Sequence, residues 1–350
     1  MTKPPKLRRR DFLRHGLAGA ATISLASLGS ILPAGIAHAQ GAPEYKALVF
    51  LFLAGGNDSY NMLVPVAGAL RTRYDNGRGF IALPPGDLHP ITLAQPADVF
   101  GGTTHNDFGF HPSCSQIADI FNAGEMNVVC NTGNLITPVD LAQFEDETAP
   151  LPPQLFSHSD QQRQFQSEPT NPFRYGWGGR MAELLTSYNG DPLVSPLITL
   201  SGLNAFQVSR DSLVNPYGLS SDGALSLNSF NGRRRTMIEN AMAAAAMGDD
   251  LLAQKYANVF ESARTAEVIV RAAFEAAAGT GVDYDAIFAA AGGTDTTTQR
   301  RLKTVAKMIA GRSSMANYRP VFFIKMGGYD THQNLLPRSC RTLLELCFLG

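Results

Sequence analysis

The pattern of apolar and polar positions is punctuated by two long hydrophobic runs that end alike. Ala47-Leu48-Val49-Phe50-Leu51-Phe52-Leu53 is followed by Ala54-Gly55-Gly56-Asn57-Asp58-Ser59. Far downstream, Pro320-Val321-Phe322-Phe323-Ile324-Lys325-Met326 is followed by Gly327-Gly328-Tyr329-Asp330-Thr331-His332. Runs this short, rich in β-branched and aromatic residues, predict strands buried on both faces, the first of them central in a parallel sheet. Each Gly-Gly allows a sharp turn, and the polar residues after it reach the rim where open α/β sheets bind ligands. The expectation is that the two strands are neighbours and bring Asp58, Asp330 and His332 to one edge.

Between these runs the pattern alternates. Residues 55–112 read as mostly irregular, with Gly, Pro, Asn and Asp recurring. Pro112 opens a helix with Cys114, Ile117, Ile120 and Phe121 at helical spacing and Gly124 as its stop. Met126–Cys130 reads as a second buried strand. Residues 135–175 are polar and Pro-punctuated, a helix covers about 178–187, and Pro196–Leu200 reads as a short strand. From 231 to about 278 the chain is helical and Ala-rich, broken near Gly248-Asp249-Asp250. That pair reads either as a lid or as packing on one sheet face. Ala289–Thr297 is a Gly/Thr linker before a helix at 298–311 whose Leu302, Val305, Met308 and Ile309 point inward. The fold class is α/β, a mostly parallel sheet sandwiched by helices with an Ala-rich helical segment.

The first 39 residues change the picture of charge. The whole chain of 350 residues has a formal net charge of −1, yet residues 1–39 hold six basic residues and one acid. Residues 40–350 then carry 23 basic and 29 acidic residues, near −6. That offers no basic field for nucleic acid. Arg9-Arg10-Asp11-Phe12-Leu13-Arg14 resembles the twin-arginine export motif. A mildly apolar stretch from Leu17 to Ile36 follows it, and Ala37-His38-Ala39 offers a cleavage site before Gln40. The apolar stretch approaches the length of a membrane span; its weak hydrophobicity, Pro33 and the Ala-x-Ala favour cleavage over a permanent anchor. The expectation is export to the periplasm through the twin-arginine translocase. Four cysteines (Cys114, Cys130, Cys340, Cys347) contain no C-x-x-C, so no zinc knuckle or redox pair is indicated. A Cys114–Cys130 bridge and two free thiols both stay open.

Three constellations carry chemistry. Asp58, Asp330 and His332 are candidate ligands of a divalent metal such as zinc, since carboxylate oxygen and imidazole nitrogen suit it. The alternative is that Asp58 caps a helix and His332 hydrogen-bonds Asp330. Ser157 and Ser159, in Ser157-His158-Ser159-Asp160, are candidate nucleophiles at a helix start, where free N–H groups favour an anion. An ordinary helix cap is the alternative. His105, Asp107 and His111 are loop residues with ligand chemistry, and Arg163 and Arg180 suit an anionic substrate or a salt bridge. Arg233-Arg234-Arg235 reads as a solvated helix start.

Taken in order, several stretches resemble the domain of unknown function 1501 family. They are the export signal, Leu53–Asn61, His111-Pro112 with its helix, Ser157 through Gln161, Gly176-Trp177-Gly178-Gly179-Arg180, and Met326–His332. The resemblance runs from residue 8 to about 335. It implies an exported bacterial protein of the alkaline phosphatase and sulfatase superfamily, with a metal site acting on phosphate or sulfate esters. Family members continue past the Asp-Thr-His loop with a Ser-x-Phe-Gly-Arg-type strand end and a Thr-Asp-His-Gly loop that resembles the remaining ligands. This sequence has neither, so a C-terminal truncation or frame change near Asn334 or Leu335 is expected, with 337–350 an atypical tail. The domain reading is a signal at 1–39 and one α/β domain at 40–336. Metal-dependent ester hydrolysis stands beside a second expectation, a non-catalytic envelope protein that keeps the fold and binds a partner.

Overall fold

A computed structural model describes residues 44–332, apart from 94–96, 100–102, 106, 131, 168–173, 190–192, 211–213, 222, 224–229, 291–295 and 331. The expected export signal and atypical tail lie outside the described residues. The chain divides at Tyr45 into two units, and of the first only Glu44 and Tyr45 are described, without regular structure. The second unit, from Lys46 on, is described below.

Its centre is a parallel sheet. Strand β1 (Leu48–Leu53) pairs in parallel with β9 (Val321–Met326), Leu48 opposite Val321 through Leu53 opposite Met326. On the other side of β9 lies β7 (Leu197–Thr199), followed by β8 (Tyr217–Gly218), so the order is β1-β9-β7-β8. The two Gly-Gly-terminated runs are neighbours, as their likeness predicted. The central strand, however, is β9. Among the described residues β1 is an edge, and five of its six residues are only half-buried.

Alternation along the strands sorts side chains onto two faces. Val49, Leu51, Ile198, Phe322 and Ile324 pack with Val270 and Ala273 of α8 (Leu251–Ala278) and with Leu302, Val305 and Met308 of α10 (Thr297–Ala310). Phe50, Phe52, Leu197, Val321 and Phe323 pack with Phe206 and with Trp177 and Ala182 of α5 (Trp177–Leu184). Helices therefore cover both faces, which makes the chain a mixed α/β protein. Phe206 is the hub of the second face, stacked on Phe50 at 4.3 Å and edge-on to Trp177 at 4.4 Å. The Gly176-Trp177-Gly178-Gly179 stretch explains itself here. A Cβ on Gly176 or Gly179 would overlap the backbone at Phe206 or Val208, and one on Gly178 would enter the Phe206 ring. Close approach lets the Gly176 and Gly179 N–H groups donate to the carbonyls of Val208 and Phe206, both at 2.9 Å. Buried Gln207 donates from Nε2 to the carbonyls of Ile198 (3.0 Å) and Val321 (2.9 Å), tying β7 to β9.

Residues 55–112 depart from the irregular expectation. They hold β2 (Leu63–Pro65), β3 (His89–Ile91), β4 (Ala97–Val99), β5 (Thr103–His105) and β6 (Phe108–Phe110). Strands β2, β6 and β3 form an antiparallel sheet, and β4 pairs with β5. Helix α1 (Gly68–Arg78) also lies here, hidden in the sequence because only Tyr74 of its eleven residues is buried. Its Tyr74 hydroxyl donates to Asn61 Oδ1 at 2.7 Å and accepts from the Leu83 N–H at 2.8 Å. Helix α2 (Ser115–Asn122) forms where Pro112 predicted it and covers the sheet through Cys114 and Ala118. The strand expected at Met126–Cys130 is absent. Those residues have no ladder partner, and Val129 is 77% exposed, so an apolar run there is not matched by burial. Cys114 and Cys130 are free thiols, the first buried and the second exposed.

Three short helices follow: α3 (Leu141–Glu145), α4 (His158–Gln166) and, after α5, α6 (Thr186–Asn189). The Ala-rich region forms α7 (Gly232–Met247) and α8, broken at Gly248-Asp249-Asp250 as expected. Apart from Ala257, the buried residues of α8 lie in its C-terminal half. Helix α9 (Tyr284–Ala290), which the sequence reading did not separate, precedes α10. Thr296 caps α10 with Gln299 in a capping box. Among the described residues no helix is long and apolar enough to cross a membrane.

Candidate metal centre

The turn after β9 is short and firmly anchored. Tyr329 is buried, its hydroxyl 3.4 Å from Met326 Sδ, so the next residue is thrown outward. Asp330 emerges beside the turn after β1. A Cβ on Gly55 would lie 2.6 Å from the Asp330 backbone nitrogen, and Gly55 has φ +127°, which L side chains rarely adopt. The two glycine turns thus stack on one another. His332 follows, its Nε2 2.9 Å from Asp330 Oδ1.

The third member comes from α4. Gln164 Nε2 donates to the Pro153 carbonyl at 2.6 Å, and Asn134 Nδ2 to the Gln161 carbonyl at 3.1 Å, which fixes the helix from both sides. Its first residue, His158, lies with its ring centroid 6.4 Å from that of His332. One donor atom from each of His158, Asp330 and His332 lies within 4.8 Å of the others, and all three residues are exposed. Two imidazole nitrogens and a carboxylate oxygen form a donor set that fits zinc, with a fourth position left for water or substrate. Donors sharing one tetrahedral zinc at its usual bond lengths stand about 3.3 Å apart, so the group needs only a small contraction of exposed side chains.

Asp58 stands outside this cluster. Its carboxylate forms an ion pair with Arg78 at the end of α1, and both side chains are largely covered. The nucleophile candidates flank His158. Ser157 occupies the N-cap position of α4, but its hydroxyl caps no backbone N–H. It donates instead to Asp160 Oδ2 at 2.6 Å and lies 3.3 Å from the Ser159 hydroxyl. A hydroxyl bonded to a carboxylate, next to a cluster of metal-type donors, is an arrangement that can activate oxygen for attack.

Among the described side chains, His111 and His89 make structural contacts. His111 is 5% exposed; its Nδ1 accepts from the Ser113 N–H at 3.1 Å and its backbone N–H donates to the Met62 carbonyl at 3.0 Å. Burial, with His89 nearby, pulls its pKa from 6.5 to about 4. His89 Nε2 is 2.6 Å from the Pro112 carbonyl oxygen. The side chain of His105 lies outside the described residues, and Asp107 is exposed. Arg163 is exposed on α4, and Arg180 is half-buried on α5.

Sequence reasoning singled out Asp330 and His332 and passed over His158. The signal was present, since His158 stands inside the Ser-His-Ser-Asp stretch that drew attention for its hydroxyls.

Fold and site together define an α/β protein with a parallel sheet and a histidine–carboxylate cluster beyond the carboxyl ends of its paired β1 and β9. Residues 45–344 match the family described as "Protein of unknown function (DUF1501)", and the chain belongs to that family. No curated protein and no solved structure matches it.

Proposed function

We propose that the chain is an exported, metal-dependent hydrolase of phosphate or sulfate esters. The observation that carries this reading is the convergence of His158, Asp330 and His332 donor atoms within 4.8 Å at the sheet rim. A bound divalent ion supplies Lewis-acid polarisation of an ester oxygen at such a place. The two imidazoles and the carboxylate hold it. Ser157, adjacent in the chain to His158, attacks the phosphorus or sulfur, and its proton passes to Asp160, the carboxylate it already contacts. A new bond forms from the serine oxygen, the bond to the ester oxygen breaks, and the alcohol leaves with the proton that Asp160 took up. A water then attacks the same phosphorus or sulfur, the bond to the serine oxygen breaks, and the water's proton restores the serine hydroxyl as phosphate or sulfate is released. Export rests on Arg9-Arg10 and the Ala-x-Ala after the apolar stretch.

The exposure of all three donors supports a second reading, a non-catalytic envelope protein that binds a partner, because small-molecule sites are usually concave. Bound metal and turnover separate the two. Protein purified without added metal is expected to carry about one equivalent of zinc or a similar ion by mass spectrometry, lost in His158→Ala and His332→Ala. It is also expected to release phosphate or sulfate from an aryl ester panel. Metal below about a tenth of an equivalent, together with no turnover, removes the hydrolase reading. Replacing Arg9 and Arg10 by lysine is expected to hold the protein in the cytoplasm; unchanged export overturns that part.

A further inference from the structure

Helices α7 and α8 form a hairpin that the core only half uses. None of the 16 residues of α7 is buried. Its half-buried positions, Ile238, Met242 and Ala245, fall at helical spacing, and the helix packs against α8. Much of the remaining apolar surface is open to water: Met247 is 89% exposed, Leu251 79%, Leu252 78%, Tyr256 65%, Met237 64% and Val259 55%. A concentration of large apolar side chains on one projecting element marks an interaction surface.

Charge selects the partner. Arg233, Arg234 and Arg235 open α7, at the positive end of its helix dipole, where cations are least favoured. Arg235 pairs with Glu239 at 2.8 Å, while Arg233 and Arg234 have no ion-pair partner among the described residues. At the far end of α7, about 24 Å away by helix geometry, Asp249 is likewise without one and Asp250 caps α8. Cations at one end and a carboxylate at the other complement a second identical hairpin laid antiparallel. A twofold axis near Ala241 brings Arg233 and Arg234 of each copy to Asp249 of the other, in the self-matching manner of symmetric dimers.

We propose that the α7–α8 hairpin is the docking surface for a second copy of this chain, forming an antiparallel four-helix interface with its apolar face inside. A lipid surface fits less well, because the apolar tip carries Asp249 and Asp250, which anionic headgroups repel.

Sedimentation of the full chain at tens of micromolar tests this. A dimer is expected, with a dissociation constant raised roughly tenfold or more by Arg233→Glu with Arg234→Glu. Adding Asp249→Arg in the same chain is expected to restore it, a rescue that misfolding does not produce. Met237→Glu with Leu252→Glu is expected to give monomer with unchanged circular dichroism and melting. Ala241→Cys, in a background with Cys130, Cys340 and Cys347 changed to serine, is expected to form a disulfide between subunits. A monomeric wild type overturns the proposal. So does a dimer indifferent to these changes, or hairpin-dependent binding to neutral phosphatidylcholine vesicles in place of dimerisation.

Discussion

Gly55 and Asp330 are in backbone contact across the rim of the sheet: the first residue has no side chain so that the second can occupy its place. A Cβ on Gly55 would come within 2.6 Å of the Asp330 nitrogen, and the φ of +127° at Gly55 is strained for any other residue. Gly55→Ala therefore pushes the Asp330–His332 loop outward as well as straining β1. The expected cost is about 2–4 kcal/mol in stability. Zinc affinity is expected to fall about tenfold, because Asp330 and His332 lose their placement relative to His158. Urea unfolding and zinc titration of the same preparation check both; an alanine variant with wild-type zinc affinity contradicts the positioning role.

Asp58 and His158 make a contrasting pair. Asp58 is covered and bound to Arg78 through Nη2, while the buried Arg78 Nε has no hydrogen-bond partner among the described residues. Asp58→Asn leaves that guanidinium half-buried and unpaired, and is expected to cost about 1–3 kcal/mol while zinc binding persists. His158 is exposed, so His158→Ala is expected to abolish zinc binding with stability changed by less than about 0.5 kcal/mol. Calorimetric titration with zinc, beside thermal melts, reads both. Loss of zinc in Asp58→Asn at full stability makes Asp58 a ligand after all.

What was legible in the sequence follows from how each element gains its stability. Strands β1 and β9 are continuous apolar runs, and their matching Gly-Gly ends gave away their pairing. The hairpin break at Gly248-Asp249-Asp250 and the inward face of α10 were equally visible, since local periodicity encodes both. Helix α1 was not, because it is held by Tyr74 and by Arg71, which pairs with Asp75 and donates to the Leu83 carbonyl at 2.7 Å. The Arg71–Asp75 pair is local, but the contacts to Asn61 and Leu83 are tertiary and have no local signature. The edge position of β1 depends on which strands find it, which no window of sequence contains. His158 was visible as a residue type within its Ser-His-Ser-Asp stretch, but its nearness to His332 was not, because that arises from two elements 174 positions apart in the chain.

Gly176 tests whether the Gly-Trp-Gly-Gly stretch is a packing device. A Cβ there overlaps the carbonyl oxygens of Ala205 and Phe206, and that segment cannot yield because Phe206 is fully buried among Phe50, Trp177 and Phe323. Gly176→Ala is expected to destabilise by about 2–4 kcal/mol without touching the metal site. Gly77 is the control: it lies inside α1 with no atom near its missing Cβ, so Gly77→Ala is expected to stabilise by about 0.5–1 kcal/mol. Equal effects at the two positions would refute the packing argument.

His111 gives the fold a pH dependence of its own. Its pKa falls from 6.5 to about 4 through burial first and His89 second. The unfolded chain therefore binds a proton at this position between those values and the folded chain does not. The stabilising effect of the neutral ring is complete above pH 6.5, is lost progressively as pH falls, and reaches its limit near pH 4. The loss is on the order of 3 kcal/mol. His111→Gln removes the titration while keeping a polar group near the Ser113 N–H. The variant is expected to be less stable than wild type at pH 7 and to approach it by pH 4.5, when the two are compared by urea midpoints. Parallel curves across that interval would show that the proton is taken up elsewhere.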